Sequence, residues 1–521
     1  MSLSSPLGSP LGSPLGSAPT ARTVGTITFA LVGWLFLVEF VSGVLQGYYV
    51  PLIPDLVDHL GISDADFNWF EASQLLLSAI VVPFLAKLGD MVGHKKILLI
   101  STVLTAGATW WLAFAGDFTT FLIAWSLMGF YVVWLPLEVA LIFDRARGSG
   151  TGPSQTRRAA GYLVVALEAG AIAGALGGGR IFGALGENIT LTLIVPAVAV
   201  TLVFFAILFG VPESTPVRGR SLDTPGFIGL TLALLAITGG LTFLKLNGVG
   251  TWWAWAIIVA GVLAFIPWGR FELKQKDPAI DLRVLGQRTM WPVQLTAGLV
   301  GIAILGAQAP LATFAGTDPI NGYGLGLDAS SISYIIGAYL VSMMVGAVLF
   351  PRVSKWTTPR IALIGASTLI GIGYLLFLVN HTTVAGTFVN MIIAGIGSGA
   401  IVAALPAAAA AAAPLGQTGI AAGLTNTTKT IGGSFASATF AIILAAGAIH
   451  AVTETASSLG AYLAVFAICG VAALVAAGLL VFVPKVAFAD PDQGLVDSLE
   501  DAGDDPSAAG TTPTEEPAPR A

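Results

Sequence analysis

The sequence predicts an all-α protein that crosses a membrane fourteen times, and three observations support this fold class. The mean hydropathy of the chain is +0.86. Only 10% of its 521 residues are charged, whereas soluble domains carry about 25% charged residues. Apolar runs close to the roughly 20 residues that a helix needs to cross the hydrocarbon core recur along the chain. A membrane β-barrel would instead show short segments of alternating hydrophobicity.

The apolar runs define fourteen predicted spans, separated by short polar connections. We place them at residues 25–48, 69–89, 97–115, 121–143, 159–181, 190–211, 225–245, 252–269, 289–312, 331–351, 361–380, 385–405, 418–447 and 460–484.

Basic residues predict the orientation of these spans, because Lys and Arg accumulate in cytoplasmic connections. The connections after even-numbered spans hold sixteen Lys and Arg residues, and on the other side only Arg180 and Lys245 occur, at the ends of odd-numbered spans. Acidic residues occupy the odd-numbered connections instead, among them Asp55, Asp64 and Asp328. We therefore expect both termini in the cytoplasm and acidic loops outside.

Low-complexity ends and a weak internal repeat divide the chain into regions. Ser-Pro-Leu-Gly occurs three times within residues 5–16, which predicts a disordered cytoplasmic tail over 1–24. Nine acidic residues lie in a second predicted disordered tail, 486–521. The segment 78–104 is similar to 342–368 at an offset of 264 residues, which suits two six-span repeats with two extra spans between them. The predicted domains are an N-terminal six-helix bundle at 25–212, a linker with two extra spans at 213–288, and a C-terminal six-helix bundle at 289–485.

The segment Ala86–Lys96 is a polar island between the second and third predicted spans. Gly89 and Gly93 allow the chain to reverse within it, and Lys95 marks its side as cytoplasmic. Asp90 places a carboxylate beside the bilayer, where it needs a helix N-terminus or a basic side chain as partner. We interpret the segment as the inner tip of a helical hairpin and as a conformational latch.

Three glutamates inside predicted spans are candidate proton-coupling sites, because an ionisable side chain at bilayer depth costs at least about 2.5–3.5 kcal/mol. Glu39 shares one predicted helical face with Ser42, Gln46 and Tyr49, and this stripe is expected to face water or ligand rather than lipid. A purely structural, hydrogen-bonded acid is the alternative for Glu39.

The fourth and fifth predicted spans carry the other two glutamates. Tyr131, Trp134 and Glu138 form an aromatic face with one acid. Because Glu138 is near the cytoplasmic end of its span, the alternatives are that its carboxyl extends to the water there or pairs with Arg145. Glu168 lies two residues before Gly170 and points nearly opposite to the glycines. A structural acid is the alternative here too, while glycines 170, 174 and 178 let another helix approach closely.

Polar residues in the second half complete the predicted substrate cavity. Lys429, with Asn426 on its face, is the basic residue well inside a predicted span. A structural role near the cytoplasmic surface is its alternative. Gln294 and Gln308 are fourteen residues apart in the ninth predicted span, close to one face of a continuous helix.

At these positions the chain resembles the major facilitator superfamily, over about residues 25–485. The polar island is similar to the superfamily's first cytoplasmic motif, Gly-x-Leu-Ala-Asp-Arg-x-Gly-Arg-Lys, with Ala86 and Met91 replacing its first Gly and its first Arg. The matching residues, with Gly89 between them, are the predicted latch: Leu88, Gly89, Asp90, Gly93 and Lys95. The run Gly170–Gly179 resembles the antiporter motif Gly-x-x-x-Gly-Pro-x-x-Gly-Gly, including Gly174, Gly178 and Gly179.

Further stretches resemble the fourteen-span branch of drug:proton antiporters: Leu222–Gly226, Phe271–Leu282 and Gly423–Asn426. The resemblance implies two six-helix bundles around a central cavity, with the seventh and eighth spans as an extra pair. Besides Ala175, which stands in place of the proline of the antiporter motif, two further regions depart from the family pattern. Trp125 and Met128 stand in the region where the fourth span usually carries an arginine, and Leu45 stands where the first span usually carries an aspartate.

These features predict a proton-coupled secondary transporter that exports a lipophilic or amphipathic drug, antibiotic or metabolite by antiport. Import of a small metabolite is the first alternative, and a receptor or assembly partner that does not transport is the second. Because the sequence has no phosphate-binding glycine loop and no Cys/His metal spacing, we expect no enzymatic activity, no cofactor and no metal. The expected partners are a small molecule, protons and lipid, without nucleic acid, for a monomer in the bacterial cytoplasmic membrane.

Overall fold

The part of the chain that the structure describes contains fourteen helical spans, each long and apolar enough to cross a membrane. The computed structural model describes residues 29–146, 152–214, 216, 221–412, 418–448 and 456–482, so both predicted tails lie outside the described residues. Within these ranges the secondary structure is helical throughout, without a strand. The predicted fold class and the predicted number of spans are confirmed.

Ten spans consist of one helix each, and four are interrupted. The single helices are Asp64–Val92 (span 2), His94–Phe114 (3), Gly152–Ala184 (5), Ile189–Gly210 (6), Thr224–Asn247 (7), Trp252–Glu272 (8), Ala329–Trp356 (10), Val384–Ala412 (12), Thr418–Ala448 (13) and Leu459–Leu480 (14). The interrupted spans are Phe29–Tyr48, Val50–Leu52 and Ile53–Leu60 (span 1), Phe118–Met128, Gly129–Val133 and Trp134–Ala146 (4), Trp291–Ile304 and Gln308–Gly316 (9), and Pro359–Leu375 with Leu376–Leu378 (11). Short helices Leu282–Leu285 and Pro319–Asn321 lie in connections.

The connection between spans 1 and 2 is shorter than predicted, because helix continues across prolines that hydropathy treats as an end. Pro51 and Pro54 each stand in the first turn of a new helical segment, where a missing N–H group costs nothing. Span 2 then begins at Asp64, five residues before its predicted start at 69. Asp64 therefore lies in a helix and not in the predicted acidic loop.

A single residue, Gly93, separates spans 2 and 3, where the sequence predicts a longer polar loop. Its φ of 111° is a conformation that favours glycine. The N–H of Gly93 donates to the Gly89 carbonyl, 2.9 Å away. Residues 90–92 and 94–96 are therefore helical, and the predicted loop is a hinge of one residue.

Span 9 is broken between Ile304 and Gln308. Pro310, in the first turn of the second segment, has no N–H to donate to a preceding turn. The predicted common face of Gln294 and Gln308 assumed one continuous helix, and the helix is interrupted between them. The amide of Gln308 instead donates to the Ile304 carbonyl across the break, over 3.2 Å.

Spans 1 and 5 pack through small residues at backbone distance. A Cβ atom at Gly170 would come within 1.9 Å of the Phe40 carbonyl oxygen, and one at Gly43 would come within 1.9 Å of the Leu167 carbonyl oxygen. Gly174 and Gly178 continue the same contact along span 1. Spans 7 and 8 form an outer hairpin, and only 11% of the apolar window of span 8 is buried.

The two ends of the helical bundle differ in charge, and we name them accordingly. The basic face carries the ends of spans next to Lys95, Lys96 and Arg288, and the acidic face carries those next to Asp64 and Asp328.

Candidate functional site

We call spans 1–6 the N-terminal half and spans 9–14 the C-terminal half. Two carboxyl groups lie buried together within the N-terminal half. Glu39 in span 1 and Glu138 in span 4 are both completely buried, and their carboxyl groups interact electrostatically. Among the described residues, none of their four carboxyl oxygens has a hydrogen-bond partner. The Ser42 hydroxyl lies beside Glu39 but outside hydrogen-bonding geometry. An unpaired charge is costly in such a buried position, and here two carboxyl groups share it.

The burial of Glu138 excludes one of the alternatives raised by its sequence position. Its side chain is 0% exposed, so its carboxyl does not extend to the water at the basic face. The side chain of Arg145 lies outside the described residues.

Aromatic residues of span 4 surround the pair. Trp134 is completely buried, and its ring centroid lies 6.2 Å from that of Tyr131. Tyr131 interacts electrostatically with Glu39 and also with Glu71 of span 2. Tyr131 stands in the 3₁₀ segment Gly129–Val133, a type of interruption that often marks a hinge.

The predicted polar stripe of span 1 divides between two environments. Glu39, Ser42 and Tyr49 are buried, whereas Gln46 is exposed. The Tyr49 ring packs edge-on against Trp125, with centroids 5.2 Å apart. Trp125 also contacts Phe67 and Phe121. The tryptophan that stands near the family's usual arginine position therefore fills an aromatic cluster.

A second charged pair joins the two halves. Glu168 of span 5 and Lys429 of span 13 are partly buried and attract each other electrostatically. Gly170, two residues from Glu168, contacts span 1, so the acid and the glycines point to different neighbours, as predicted.

The polar residues predicted to line the cavity in the second half are partly brought together. Gln294 is buried, and its Oε1 lies 3.2 Å from the Thr428 hydroxyl, which links spans 9 and 13. Asn426 and Gln308 are partly buried. Gln308 lies beyond the break of span 9, at the start of its second segment.

The predicted latch is held by residues that the sequence did not single out. Nε2 of His94 lies 3.2 Å from Oδ1 of Asp90, and Nδ1 of His94 lies 2.7 Å from the Ser214 hydroxyl. The N–H of Lys95 donates to Glu213 over 3.0 Å. Glu213 thereby caps the N-terminus of span 3. The segment after span 6 therefore fastens the hinge at Gly93 in this conformation, while Leu88 is partly buried and Gly89 is buried.

At the acidic face, the two halves of the protein touch. A Cβ atom at Gly179 would come within 2.3 Å of the Ala329 carbonyl oxygen, and one at Gly316 would come within 2.7 Å of Pro54 Cγ. The Ser434 hydroxyl of span 13 donates to the Ala72 carbonyl of span 2 over 2.7 Å. These contacts close the space between the halves on this side.

Two further acids at this closure were missed by the sequence reasoning. Asp64 and Glu71 of span 2 are each 7% exposed, and both contact the second half. The signal that identifies them is an acid inside an apolar helix. Asp64 lies before the predicted start of the span at 69, and Glu71 lies only two residues after it, so neither was counted as intramembrane.

A fourteen-span helical bundle, with a broken helix and buried acids where its halves meet, is the architecture of a secondary transporter. The comparison with protein families agrees. A family model described as Major Facilitator Superfamily matches residues 35–437. The chain belongs to this superfamily.

Three relatives illustrate the range of similar proteins. The cephamycin export protein CmcT of Amycolatopsis lactamdurans is 24% identical over 466 residues, which cover 85% of this chain and 91% of CmcT. A uridine/deoxyuridine transporter of Lactococcus lactis subsp. cremoris (strain MG1363) is 24% identical over 301 residues, which span 57% of this chain and 62% of that protein. A crystal structure of an auto-inhibited peptide transporter of the POT family matches with a TM-score of 0.60 at 14% identity, covering 88% of this chain and all of that chain.

Proposed function

We propose that this protein is a proton-coupled antiporter that exports a lipophilic or amphipathic organic compound by alternating access. The observation that carries the proposal is the Glu39 and Glu138 pair, which is completely buried and has no hydrogen-bond partner among the described residues. Such a pair is stable when protonated, because no cation offsets its charge. When water or a cationic substrate reaches the site, the proton can leave.

In the proposed cycle, a proton and the substrate compete for the Glu39 and Glu138 pair. In the state open to the cytoplasm, loss of the proton creates a negative site beside Tyr131 and Trp134, which suits the aromatic body and positive charge of a lipophilic cation. In the state open to the outside, proton binding displaces the substrate. A binding event that favours one state shifts the equilibrium between states by its difference in affinity. Glu168 and Lys429 join the halves and are proposed to sense the same change.

The proposed direction rests on two observations. The glycines of span 5 resemble the antiporter motif, and CmcT is named as an export protein. The proposed orientation places the basic face and both termini in the cytoplasm, in a bacterial cytoplasmic membrane. The closure at the acidic face supports the proposal that this conformation is closed to the outside, and the proposed transporter is a monomer.

The test is drug-driven proton movement in proteoliposomes. We would add ethidium or cephamycin C to vesicles that contain an internal pH-sensitive dye, and compare wild type with Glu39→Gln, Glu138→Gln and Glu168→Gln. Glu187→Gln is the matched control, because Glu187 is an exposed acid outside the spans. The expected result is a dye response in wild type and in the control, and a response reduced at least about tenfold in the Glu39 and Glu138 variants. Unaltered coupling in all three variants would contradict the proposal.

A second candidate is proton-driven import of a small metabolite. The similarity to a uridine/deoxyuridine transporter favours it. Uptake of labelled uridine down an imposed inward proton gradient, without export of ethidium or cephamycin C, would support import.

A further inference from the structure

The acidic-face closure contains two acids that the proposed substrate site does not use. Asp64 and Glu71 are seven residues apart on span 2, which places them two turns apart on one face of the helix. Both side chains are 7% exposed, and both reach the same residue of the opposite half, Ala309, at the start of the second segment of span 9.

Asp64 reaches Ala309 through two hydroxyl groups. The Tyr462 hydroxyl lies 2.6 Å from Oδ2 of Asp64 and 3.0 Å from the Thr313 hydroxyl. The Thr313 hydroxyl donates to the Ala309 carbonyl over 3.1 Å. The chain therefore has three links, but Tyr462 and Thr313 supply only one hydrogen each. Since the terminal carbonyl only accepts, all three links form together only when Asp64 carries the third hydrogen.

Glu71 reaches the N–H side of the same residue. The N–H of Ala309, in the first turn of the second segment of span 9, faces the Glu71 carboxyl group. The second oxygen, Oε2, is buried and has no hydrogen-bond partner among the described residues. One donor leaves an ionised carboxylate largely unsatisfied in a buried site.

The charged and titratable groups around the two acids do not include a paired cation in the described part of the chain. Asp64 faces Asp58 of span 1, as well as Tyr462 and Tyr323. Burial raises the pKa of Tyr323, which therefore stays neutral. Glu71 faces Tyr131 of span 4. Lys245 at the end of span 7 bonds Asp66, a different carboxylate.

We propose that Asp64 and Glu71 form a second proton-binding site, at which closure of the acidic face takes up protons from the solution on that side. Opening the face hydrates both acids and lets them ionise. Closing it removes them from water and completes the chain from Asp64 to Ala309 only in the protonated form. Within the proposed antiport function, on which this assignment rests for its role, this is where the external proton is acquired before the protein turns inward.

The linkage has a definite sign. Because the closed state binds more protons than the open state, closure is favoured at low pH and is lost as pH rises. For each linked proton, the ratio of closed to open molecules falls by about tenfold per pH unit within the range where the acids titrate.

The test measures this ratio without substrate and without proton flux. Cys469 is the single cysteine of the chain, so a Cys469→Ala background allows spin labels at Leu185→Cys and Ile320→Cys. These are exposed positions beside the acidic face, one after span 5 and one between spans 9 and 10. Pulsed electron paramagnetic resonance in nanodiscs from pH 5 to pH 9 then gives the fractions of the closed and open distances.

We expect a ratio that falls with pH in wild type and in the exposed control Glu187→Gln. Asp64→Asn and Glu71→Gln are each expected to lose part of the slope, and the double variant is expected to stay closed at every pH. A flat wild-type profile overturns the proposal. The proposal is also overturned if a single or double variant changes the closed-to-open ratio but keeps its wild-type dependence on pH, because a purely structural contact behaves in this way.

This outcome is independent of the flux experiment. The proposed function would be overturned, and this site would stand, if the closed-to-open ratio of the double variant does not change with pH while drug-driven proton movement is unchanged in the Glu39 and Glu138 variants. If instead the double variant keeps the wild-type pH dependence while the Glu39 and Glu138 variants lose proton movement, only this site is overturned.

Discussion

The hydroxyl oxygen of Tyr462 in span 14 lies 2.6 Å from Oδ2 of Asp64 in span 2, across the junction between the two halves. The residues are 398 positions apart in the sequence, and both are buried. Because the contact joins one half to the other, we expect it to break when the acidic face opens and therefore to report on the conformational equilibrium.

Removing this hydroxyl is predicted to favour the open state. Tyr462→Phe keeps the ring but leaves Asp64 without its hydrogen-bond partner, and a buried group without its partner loses about 1–3 kcal/mol. The ratio of closed to open molecules at pH 6 is expected to fall by about 5-fold to 150-fold, measured with the spin-label pair at Leu185 and Ile320. Tyr162→Phe, at an exposed position of span 5, is the control and should leave the ratio unchanged. An unchanged ratio in Tyr462→Phe would show that the contact does not stabilise closure.

The contact between spans 1 and 5 is predicted to tolerate no side chain at Gly170. A Cβ atom there would lie 1.9 Å from the Phe40 carbonyl oxygen, which is backbone and cannot rotate away. Gly170→Ala is expected to lower stability by about 1–3 kcal/mol or more, as overpacking does, and to reduce the melting temperature in detergent. Gly161→Ala is the matched control, because a Cβ atom at Gly161 of the same helix meets nothing within 4 Å. Equal melting temperatures for the two variants would contradict the close approach.

The attraction between Glu168 and Lys429 is predicted to matter as a pair. Glu168→Lys and Lys429→Glu each place two like charges together, and each is expected to reduce ethidium export by about tenfold or more, in line with about 1.4 kcal/mol or more of repulsion. The double exchange restores opposite charges and should recover part of the activity. Export by whole cells, normalised to the amount of protein in the membrane, gives the coupling of the two changes. A double variant as inactive as the product of the single variants would show that the residues act independently.

The hinge at Gly93 is predicted to need the charge of Asp90. Asp90→Asn keeps the size of the side chain but weakens its attraction to His94, 3.2 Å away. For a partly exposed pair we expect about 1 kcal/mol, or about fivefold slower transport, with ethidium binding largely intact. Transport rates in proteoliposomes and equilibrium binding in detergent separate the two effects. Lost binding at an unchanged rate of conformational exchange would contradict a latch role.

Ser214→Ala provides a comparison for the latch. It removes the hydroxyl that lies 2.7 Å from Nδ1 of His94 and accepts from the backbone N–H of His94. If Asp90 acts through His94, Ser214→Ala should slow transport in the same way as Asp90→Asn. A normal rate in Ser214→Ala would mean that Asp90 acts through another partner.

The sequence by itself determined the class of the protein, the number of spans and the packing role of the span 5 glycines. Each of these depends on chemistry that is local along the chain. Hydropathy over about 20 residues decides whether a segment is stable in lipid, and glycines four residues apart, such as Gly170 and Gly174, lie on one side of any helix.

Only the tertiary structure decided where helices end or break and which charges meet. Span 2 begins at Asp64 because Ser63 and Asp66 cap it and because Tyr462, far along the chain, bonds the Asp64 carboxyl group. Just after the break in span 9, the N–H of Ala309 faces the Glu71 carboxyl group of a different helix. In lipid, an acid or a free N–H group is costly when it has no partner. The fold supplies partners from distant segments, and these long-range contacts place Asp64 and Glu71 inside the closure.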